Sequence, residues 1–168
     1  MLSSLPETIF TMKNNFKTTP ELLAPAGSFE CLKAAVQNGA DAVYLGLKTG
    51  SARMGAENFT FEELAEAVSY AHIRGVRVYL ALNTLIFDEE FDTYYETAKK
   101  AASLGIDALI LQDLGLAAEI IKNKAEFSCE IHASTQMSVY NIDGVKKLKE
   151  LGFDRCITAR ELSLEELS

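Results

Sequence analysis

The chain lacks the long apolar segments that would place it in a membrane or send it out of the cell. No apolar run reaches the roughly 18 residues that a membrane span requires. The first 20 residues have no continuous apolar core of the kind found in a signal peptide, because lysines and asparagines interrupt them from Lys13 to Lys17. Residues 1–19 show no sustained periodicity and are predicted to be a flexible leader. We therefore expect a cytoplasmic protein that makes no contact with a membrane.

Cysteine and histidine are both scarce. Cys31, Cys129 and Cys156 are too far apart to form a C-x-x-C pair, and we expect buried thiols. The two histidines, His72 and His132, are too few for a multi-histidine metal site. There is no H-E-x-x-H helix, no Walker loop and no G-x-G-x-x-G after a strand. We therefore predict no metal and no cofactor in this segment.

Basic residues are outnumbered by acidic ones. With 16 Lys and Arg against 24 Asp and Glu, the net charge is −8, which argues against binding nucleic acid through a broad basic surface. A local basic site remains open. The 168 residues are enough for one domain with a sizeable core, whereas a complete (β/α)8 barrel usually needs about 250.

What the chain does have is a repeated phrase in which a glycine is followed within one or two residues by a short apolar run. The copies are Gly39–Gly46, Gly105–Gln112, Gly152–Ala159 and a looser one at Gly75–Leu82. Glycine suits the position just past a helix because it accepts positive φ without penalty. Amphipathic segments separate the copies, and this alternation is typical of βαβ units and a parallel sheet.

We predict an α/β fold, a parallel TIM-type barrel with about six βα units that occupies residues 20–168. Several of the expected strands are continuously apolar, as strands buried on both faces should be. The six expected strands are Glu21–Ala24, Asp41–Leu45, Arg77–Leu82, Ala108–Leu111, Phe127–Ala133 and Arg155–Thr158.

Two capping-box patterns mark helix starts. Thr60-x-x-Glu63 precedes a helix with an apolar face, and Ser163-x-x-Glu166 comes two residues before the end of the sequence. The second box leads us to expect a barrel truncated at the start of its sixth helix. Such a segment would have open edges at its first and sixth strands, so we expect it to be inactive and marginally stable alone.

In parallel barrels, function collects where strands end and βα loops begin. At the end of the fifth strand, His132 and Gln136 are the predicted catalytic residues. His132 is either a general acid or base, a ligand, or a hydrogen-bonded core histidine. A triad of Ser134 with His132 and Glu161 is an alternative that lacks a nucleophile elbow.

The other predicted rim residues would bind substrate. Asn83 and Gln136 can each bind an amide or a hydroxyl group of a substrate. Asn83 can instead serve only to turn the chain. Arg160 and Glu161 follow the sixth strand and are both predicted to bind substrate. Arg160 suits an anion, although the two residues can instead form a simple ion pair. Gln112 follows the fourth strand, and Arg53 lies in a long polar loop that either faces substrate or only covers the surface. We expect Asp113 to be a helix cap.

Taken in order, six segments of the chain resemble peptidase family U32 over roughly residues 20–168. Each segment is weak alone, but together they are specific. They are Glu21–Gly27, Asn38–Gly46, Asn83–Leu85, Gln112–Gly115, His132–Met137 and Ala159–Ser163.

The resemblance implies a barrel-like N-terminal domain followed by further sequence. It implies either of two activities: prephenate-linked hydroxylation of a tRNA or ribosomal RNA base, or collagenase-type hydrolysis of peptide bonds. The partner is accordingly an RNA or a peptide substrate. Some members bind an iron–sulfur cluster through cysteines, and the matching signature would lie beyond Ser168. Cys31, Cys129 and Cys156 do not fit it. The resemblance leaves the oligomeric state open.

Overall fold

The computed structural model of the chain describes residues 20–48, 58–163 and 165–167. The predicted leader, residues 1–19, and the predicted substrate residue Arg53 lie outside the described residues. Within the described part, no helix is both long and apolar enough to cross a bilayer.

Six parallel strands form one sheet whose order in space follows their order in the chain. A helix connects each strand to the next, and the sheet curls into a half-barrel, which confirms the predicted fold class. In chain order the elements are β1 (Leu23–Pro25), α1 (Phe29–Gln37), β2 (Ala42–Gly46), α2 (Phe61–His72), β3 (Arg77–Leu82), α3 (Phe91–Ser103), β4 (Ala108–Leu111), α4 (Leu114–Lys122), β5 (Glu130–Ala133), α5 (Ile142–Leu151) and β6 (Arg155–Cys156).

Each strand sends alternate side chains to the two faces of the sheet. On β3, Val78, Leu80 and Leu82 belong to the main core, which lies between the sheet and the helices. Tyr79 points the other way into the curled interior, where it packs with residues such as Ile110. Both faces are therefore covered, which explains why β2 to β4 read as nearly continuous apolar runs.

The aspartate in three copies of the repeated phrase fastens one strand to the next. Each aspartate forms two hydrogen bonds with one residue, which lies in the preceding strand or directly before that strand. The backbone N–H of the aspartate donates to the carbonyl of this residue, and the carboxylate accepts from the N–H of the same residue. The carboxylate bonds are 2.7 Å from Leu22 to Asp41, 2.7 Å from Val78 to Asp107 and 2.8 Å from Ile131 to Asp154. The repeat therefore encodes a clamp at the amino ends of the strands as well as a turn.

Glycine is required at the turn before β6. Gly152 has a φ of +104°, and a β-carbon there would lie 2.7 Å from Cγ2 of Ile121. Both the left-handed backbone and the close approach of α4 therefore exclude a side chain.

The helix starts follow the expected caps. Thr60 and Glu63 form the reciprocal hydrogen bonds of a capping box at α2, and Asp113 caps α4 by accepting from Leu116 N–H at 2.9 Å. Ser163 also forms the box bonds, since it accepts from Glu166 N–H at 3.3 Å and its own N–H donates to the Glu166 carboxylate at 2.8 Å.

Some of the expected strand bounds, and the expected burial of the thiols, need correction. β1 begins at Leu23 and not at Glu21, and β6 ends at Cys156 and not at Thr158. β5 begins at Glu130 and not at Phe127, because residues 124–126 form a 3-10 turn that Phe127 N–H closes on the Lys124 carbonyl. Cys31 is an exposed thiol on α1, whereas Cys129 is buried and Cys156 is half-buried.

Candidate functional site

A cavity of about 530 Å³ opens at the carboxyl ends of the strands, the edge at which function was expected. Its floor is apolar, and its polar groups come from the loops that follow the strands. The lining residues are Leu23, Ala26, Gly27, Tyr44, Leu45, Gly46, Asn58, Ala81, Asn83, Ile110, Ser134, Thr135, Gln136, Ile157 and Arg160.

Three of the predicted site residues share this cavity. Asn83 follows β3, Gln136 follows β5 and Arg160 follows β6, so each comes from a different loop. Gln112 and Glu161 occupy the loops after β4 and β6, but neither lines the cavity. Because the strands are parallel, their carboxyl ends lie at the same edge of the sheet, and three polar residues that are distant in sequence therefore line one cavity.

A rigid turn after β5 presents Thr135 and Gln136. Ser134 begins it: its N–H donates to the Leu111 carbonyl at 2.8 Å, and its hydroxyl accepts from Gln136 N–H at 3.2 Å. Ser138 ends it in the left-handed region with a φ of 54°. The turn is thus fixed at both ends, and Ser134 is buried at 3% exposure.

Asn58 is a lining residue that the sequence did not single out. It has a φ of 49° and is only 8% exposed. Its N–H donates to the Gly27 carbonyl at 3.2 Å, and the next N–H, of Phe59, donates to Gly46 at 2.9 Å. Its place at the end of a long polar loop was the available signal.

The described lining contains no aspartate, glutamate, histidine, cysteine or lysine. Arg160 is its one formal charge at neutral pH, and neither a hydrogen bond nor an ion pair joins the guanidinium to another described residue, Glu161 included. The polar groups are otherwise carboxamides, hydroxyls and backbone. A cavity of this composition suits a neutral polar ring or an anion, because no acidic side chain in the described wall repels negative charge.

His132 lies beneath this cavity and not in its wall. Its imidazole is fully buried in the interior of the half-barrel, edge-on to Tyr79 with ring centres 5.0 Å apart. Nε2 lies 2.7 Å from a carboxylate oxygen of Glu130. Burial, together with the charge of Arg155, lowers the pKa of His132, although the bond to Glu130 acts in the opposite direction.

The neutral ring therefore donates Nε2–H to Glu130 and keeps the lone pair on Nδ1. Nδ1 has no hydrogen-bond partner among the described residues. The hydrogen bond to Glu130 favours the interpretation of His132 as a hydrogen-bonded core histidine. Its catalytic role stays a prediction, and in that role Nδ1 would be the atom that accepts a proton.

A charged network closes the amino end of the interior. Glu21 accepts from Tyr79 Oη at 3.0 Å and from Arg155 Nη1 at 2.6 Å, and it also pairs with Arg77. Burial raises the pKa of Tyr79 although both arginines oppose it, so the phenol stays protonated and donates. The network joins the two edge strands across the half-barrel, which sequence patterns alone did not indicate.

No described group of three or more histidine, cysteine or acidic side chains could hold a metal ion. Burial raises the pKa of Cys129 to about 11 and also raises that of Cys156, so neither is a ready thiolate. Cys31 stands exposed on α1, away from both. The three cysteines therefore stand in three different settings, one exposed, one half-buried and one buried.

Curated proteins of two kinds are similar to this chain. An uncharacterized protease of Methanocaldococcus jannaschii is 40% identical over 147 residues, which cover 88% of this chain and 35% of that protein. The tRNA hydroxylation protein P1 of Bacillus subtilis is 39% identical over 160 residues, 95% of this chain and 37% of that protein. Further relatives are named for tRNA or rRNA hydroxylation and one as a collagenase.

The chain spans little more than a third of the first two relatives. Among solved structures, the U32 peptidase Mk0906 shares the fold with a TM-score of 0.62 at 16% identity, over 85% of this chain and 61% of that one. The family model described as peptidase family U32 matches residues 27–168. The chain therefore belongs to peptidase family U32.

Proposed function

We propose that the protein carrying this chain takes part in hydroxylating a base of tRNA or ribosomal RNA, in a reaction that involves prephenate, and that the cavity binds the base. One observation carries the proposal: the described wall joins an apolar floor to carboxamides and a single arginine, without an acidic group. Similar proteins that are named for RNA hydroxylation support the same function.

The floor suits a planar ring. Tyr44, Ile110 and Ile157 line it, and bases taken out of a stack are held between aromatic or apolar side chains. A volume of about 530 Å³ lies within the range for small ligands. The cavity therefore accepts one nucleotide and leaves the neighbouring nucleotides outside.

The rim suits the polar parts of a nucleotide. The carboxamides of Asn83 and Gln136 each offer donors and acceptors, which can pair with the edge of a base. Arg160, which has no described ionic partner, can bind a phosphate with two parallel hydrogen bonds. The net charge of −8 makes this local cation important, because the rest of the surface repels RNA.

Prephenate carries carboxylates and would compete for the same arginine. Hydroxylation replaces a C–H bond by C–OH and needs both an oxygen donor and a two-electron acceptor. The described residues supply neither, so in this proposal both come from groups outside them, and an iron–sulfur cluster held by other cysteines of the whole protein would pass the electrons to that acceptor. The proposal places the protein in the cytoplasm with its RNA.

Peptide hydrolysis is the second candidate, because one of the most similar relatives is named as a protease. The described wall offers Ser134 and Thr135 as hydroxyls but no general base beside them. His132 is bonded to Glu130 and lines no part of the cavity. A peptidase mechanism would therefore need groups from outside the described residues.

The proposal is tested by deleting the gene and measuring hydroxylated nucleosides in tRNA and ribosomal RNA by mass spectrometry. We expect one hydroxylated nucleoside to disappear and to return with the gene. A complementing gene with Arg160→Ala should restore less of it, whereas Glu161→Gln, a neighbour outside the cavity, should restore all of it. Unchanged nucleosides after deletion would remove the proposal.

The peptidase alternative is tested on the purified gene product with gelatin and short peptides, beside an active collagenase as positive control. We expect no cleavage. Cleavage that is lost on Ser134→Ala, with normal nucleosides in the deletion strain, would establish the alternative in place of the proposal.

A further inference from the structure

The described chain has two non-glycine residues in the left-handed region: one lines the cavity, and the other ends a turn beside it. Asn58 has a φ of 49° and lines the wall, while Ser138, at 54°, ends the turn that carries Gln136. Left-handed backbone costs most L-residues free energy and persists where the surrounding structure fixes it. Such residues often mark functional sites.

Asn58 is fixed by backbone hydrogen bonds to two strand ends. Its N–H reaches the Gly27 carbonyl after β1, and Phe59 bonds to Gly46 in β2 and to Lys48. Phe59 also forms a parallel bridge with Leu47. Asn58 thus stands on the β1–β2 side of the mouth, and its position does not depend on its side chain.

The side chain is more than the left-handed backbone requires. If only a left-handed backbone were needed, glycine would supply it without an amide that is 8% exposed. A carboxamide has two N–H donors and two acceptor lone pairs, so a bond within the protein leaves others for a ligand. Asn58 faces the same cavity as Asn83 and Gln136.

We propose that Asn58 is a third amide that binds the nucleotide, and that its left-handed backbone holds the carboxamide in place before the ligand arrives. This inference rests on the proposed function, since it takes the cavity to be a nucleotide site. Amides from the β1–β2, β3 and β5 sides, with Arg160 after β6, would then surround the ligand.

The test compares three variants of the gene product by titration with the four nucleoside 5′-monophosphates. Asn58→Gly keeps the backbone and removes the amide, and we expect binding of the preferred nucleotide to weaken about tenfold, the effect of one lost hydrogen bond. Asn58→Asp keeps the shape but places a negative charge beside the ligand, so we expect a larger loss.

Asn38→Gly is the matched control. It makes the same change at an exposed residue that ends α1 and does not line the cavity, so binding should be unchanged. Thermal midpoints of all variants show which of them fold. If Asn58→Gly does not fold, Asn58→Asp decides the question.

Two results would overturn the inference: equal nucleotide affinity in the unaltered protein and in a folded Asn58 variant, or no binding of any of the four nucleotides. Hydroxylated nucleosides in the deletion strain test the proposed function separately. If the unaltered gene restores hydroxylation and a gene with Asn58→Gly restores it equally, only the role of Asn58 is lost.

Discussion

Arg160 is the residue on which we expect binding of an anion in the cavity to depend. We expect Arg160→Ala to weaken binding of a nucleoside monophosphate at least tenfold, because hydrogen bonds to charged groups contribute about 1.5–3 kcal/mol. Arg160→Lys should recover part of the loss, since lysine keeps the charge but not the paired donors.

The measurement is a titration at low and at high ionic strength. Salt should weaken binding to the unaltered protein more than binding to Arg160→Ala, because the variant has lost the screened contact. Glu161→Gln is the control and should bind as the unaltered protein does. An identical salt dependence in the unaltered protein and Arg160→Ala would show that Arg160 does not touch the anion.

Asp154 is the residue at which the strand clamp can be tested by pH. Burial alone would raise its pKa, but the N–H of Ile131 and the Lys124 ammonium at 2.9 Å outweigh it and lower the pKa below 3.8. The folded carboxyl thus binds its proton at a lower pH than the unfolded one. The stabilisation is complete above the unfolded value and is lost as pH falls through the folded value.

We therefore expect Asp154→Ala to lower the free energy of unfolding by about 1 kcal/mol at pH 7, since the Ile131 N–H loses its acceptor. The difference in unfolding free energy between the two proteins should narrow as pH falls below about 4, where the unfolded carboxyl begins to bind its proton, and should close as pH passes the lowered pKa of the folded carboxyl. Urea unfolding at several pH values measures it, with Glu150→Ala, an exposed helical acid, as control. A gap that does not change with pH would contradict the clamp.

Single residues were predicted unevenly from the sequence. Asn83, Gln136 and Arg160 were placed correctly at one mouth because each follows a strand, and parallel strands end at the same edge. His132 was expected at the rim, but it lies within β5, and the alternation of side chains along the strand turns it into the interior of the half-barrel. Asn58 was missed because its burial depends on bonds to Gly27 and Gly46, which are distant in sequence.

At the scale of elements, local signals predicted helices well where a cap and an apolar face agree. α2 has the apolar face that was expected after its capping box, and it buries Leu64, Ala67, Val68 and Ala71. Strands were less exact at the edges: β6 ends at Cys156, two residues early, because it pairs with β5 alone among the described strands. Backbone pairing in three dimensions, which the sequence does not display, sets such ends.

The capping box of α2 gives an element-scale prediction. Thr60→Ala removes the hydroxyl that accepts Glu63 N–H at 3.2 Å, and we expect it to lower the free energy of unfolding by about 1 kcal/mol. Thr60→Ser should keep most of the stability because it keeps the hydroxyl. Urea unfolding compares the two, and equal loss in both would show that the methyl group, not the cap, matters.

At the scale of the whole molecule, the order and direction of the strands followed from the sequence. The regular return of the Gly-x-Asp phrase, with a helix between copies, leaves few alternatives to adjacent parallel strands. The contacts that join the two edges of the half-barrel could not be predicted from the sequence. Glu21 and Arg155 are 134 residues apart, and no local pattern links residues at that distance.

This contact gives the last prediction. Glu21 is 14% exposed, and in its absence Arg77 and Arg155 would face each other without a counter-charge. We expect Glu21→Gln to lower the free energy of unfolding by about 2 kcal/mol, less than a fully buried pair costs, because both arginines are 35% exposed. Arg155→Met alone should cost less, since Glu21 keeps Arg77 and Tyr79.

A double-mutant cycle separates the pair from its surroundings. If Glu21 holds β1 to β6 through Arg155, the loss in the double variant should be about 1 kcal/mol smaller than the sum of the single losses. The exposed pair Lys147 and Glu150, treated in the same way, should show a coupling near zero. Additive losses at Glu21 and Arg155 would mean that the two edge strands are held in place by the sheet and its helices alone.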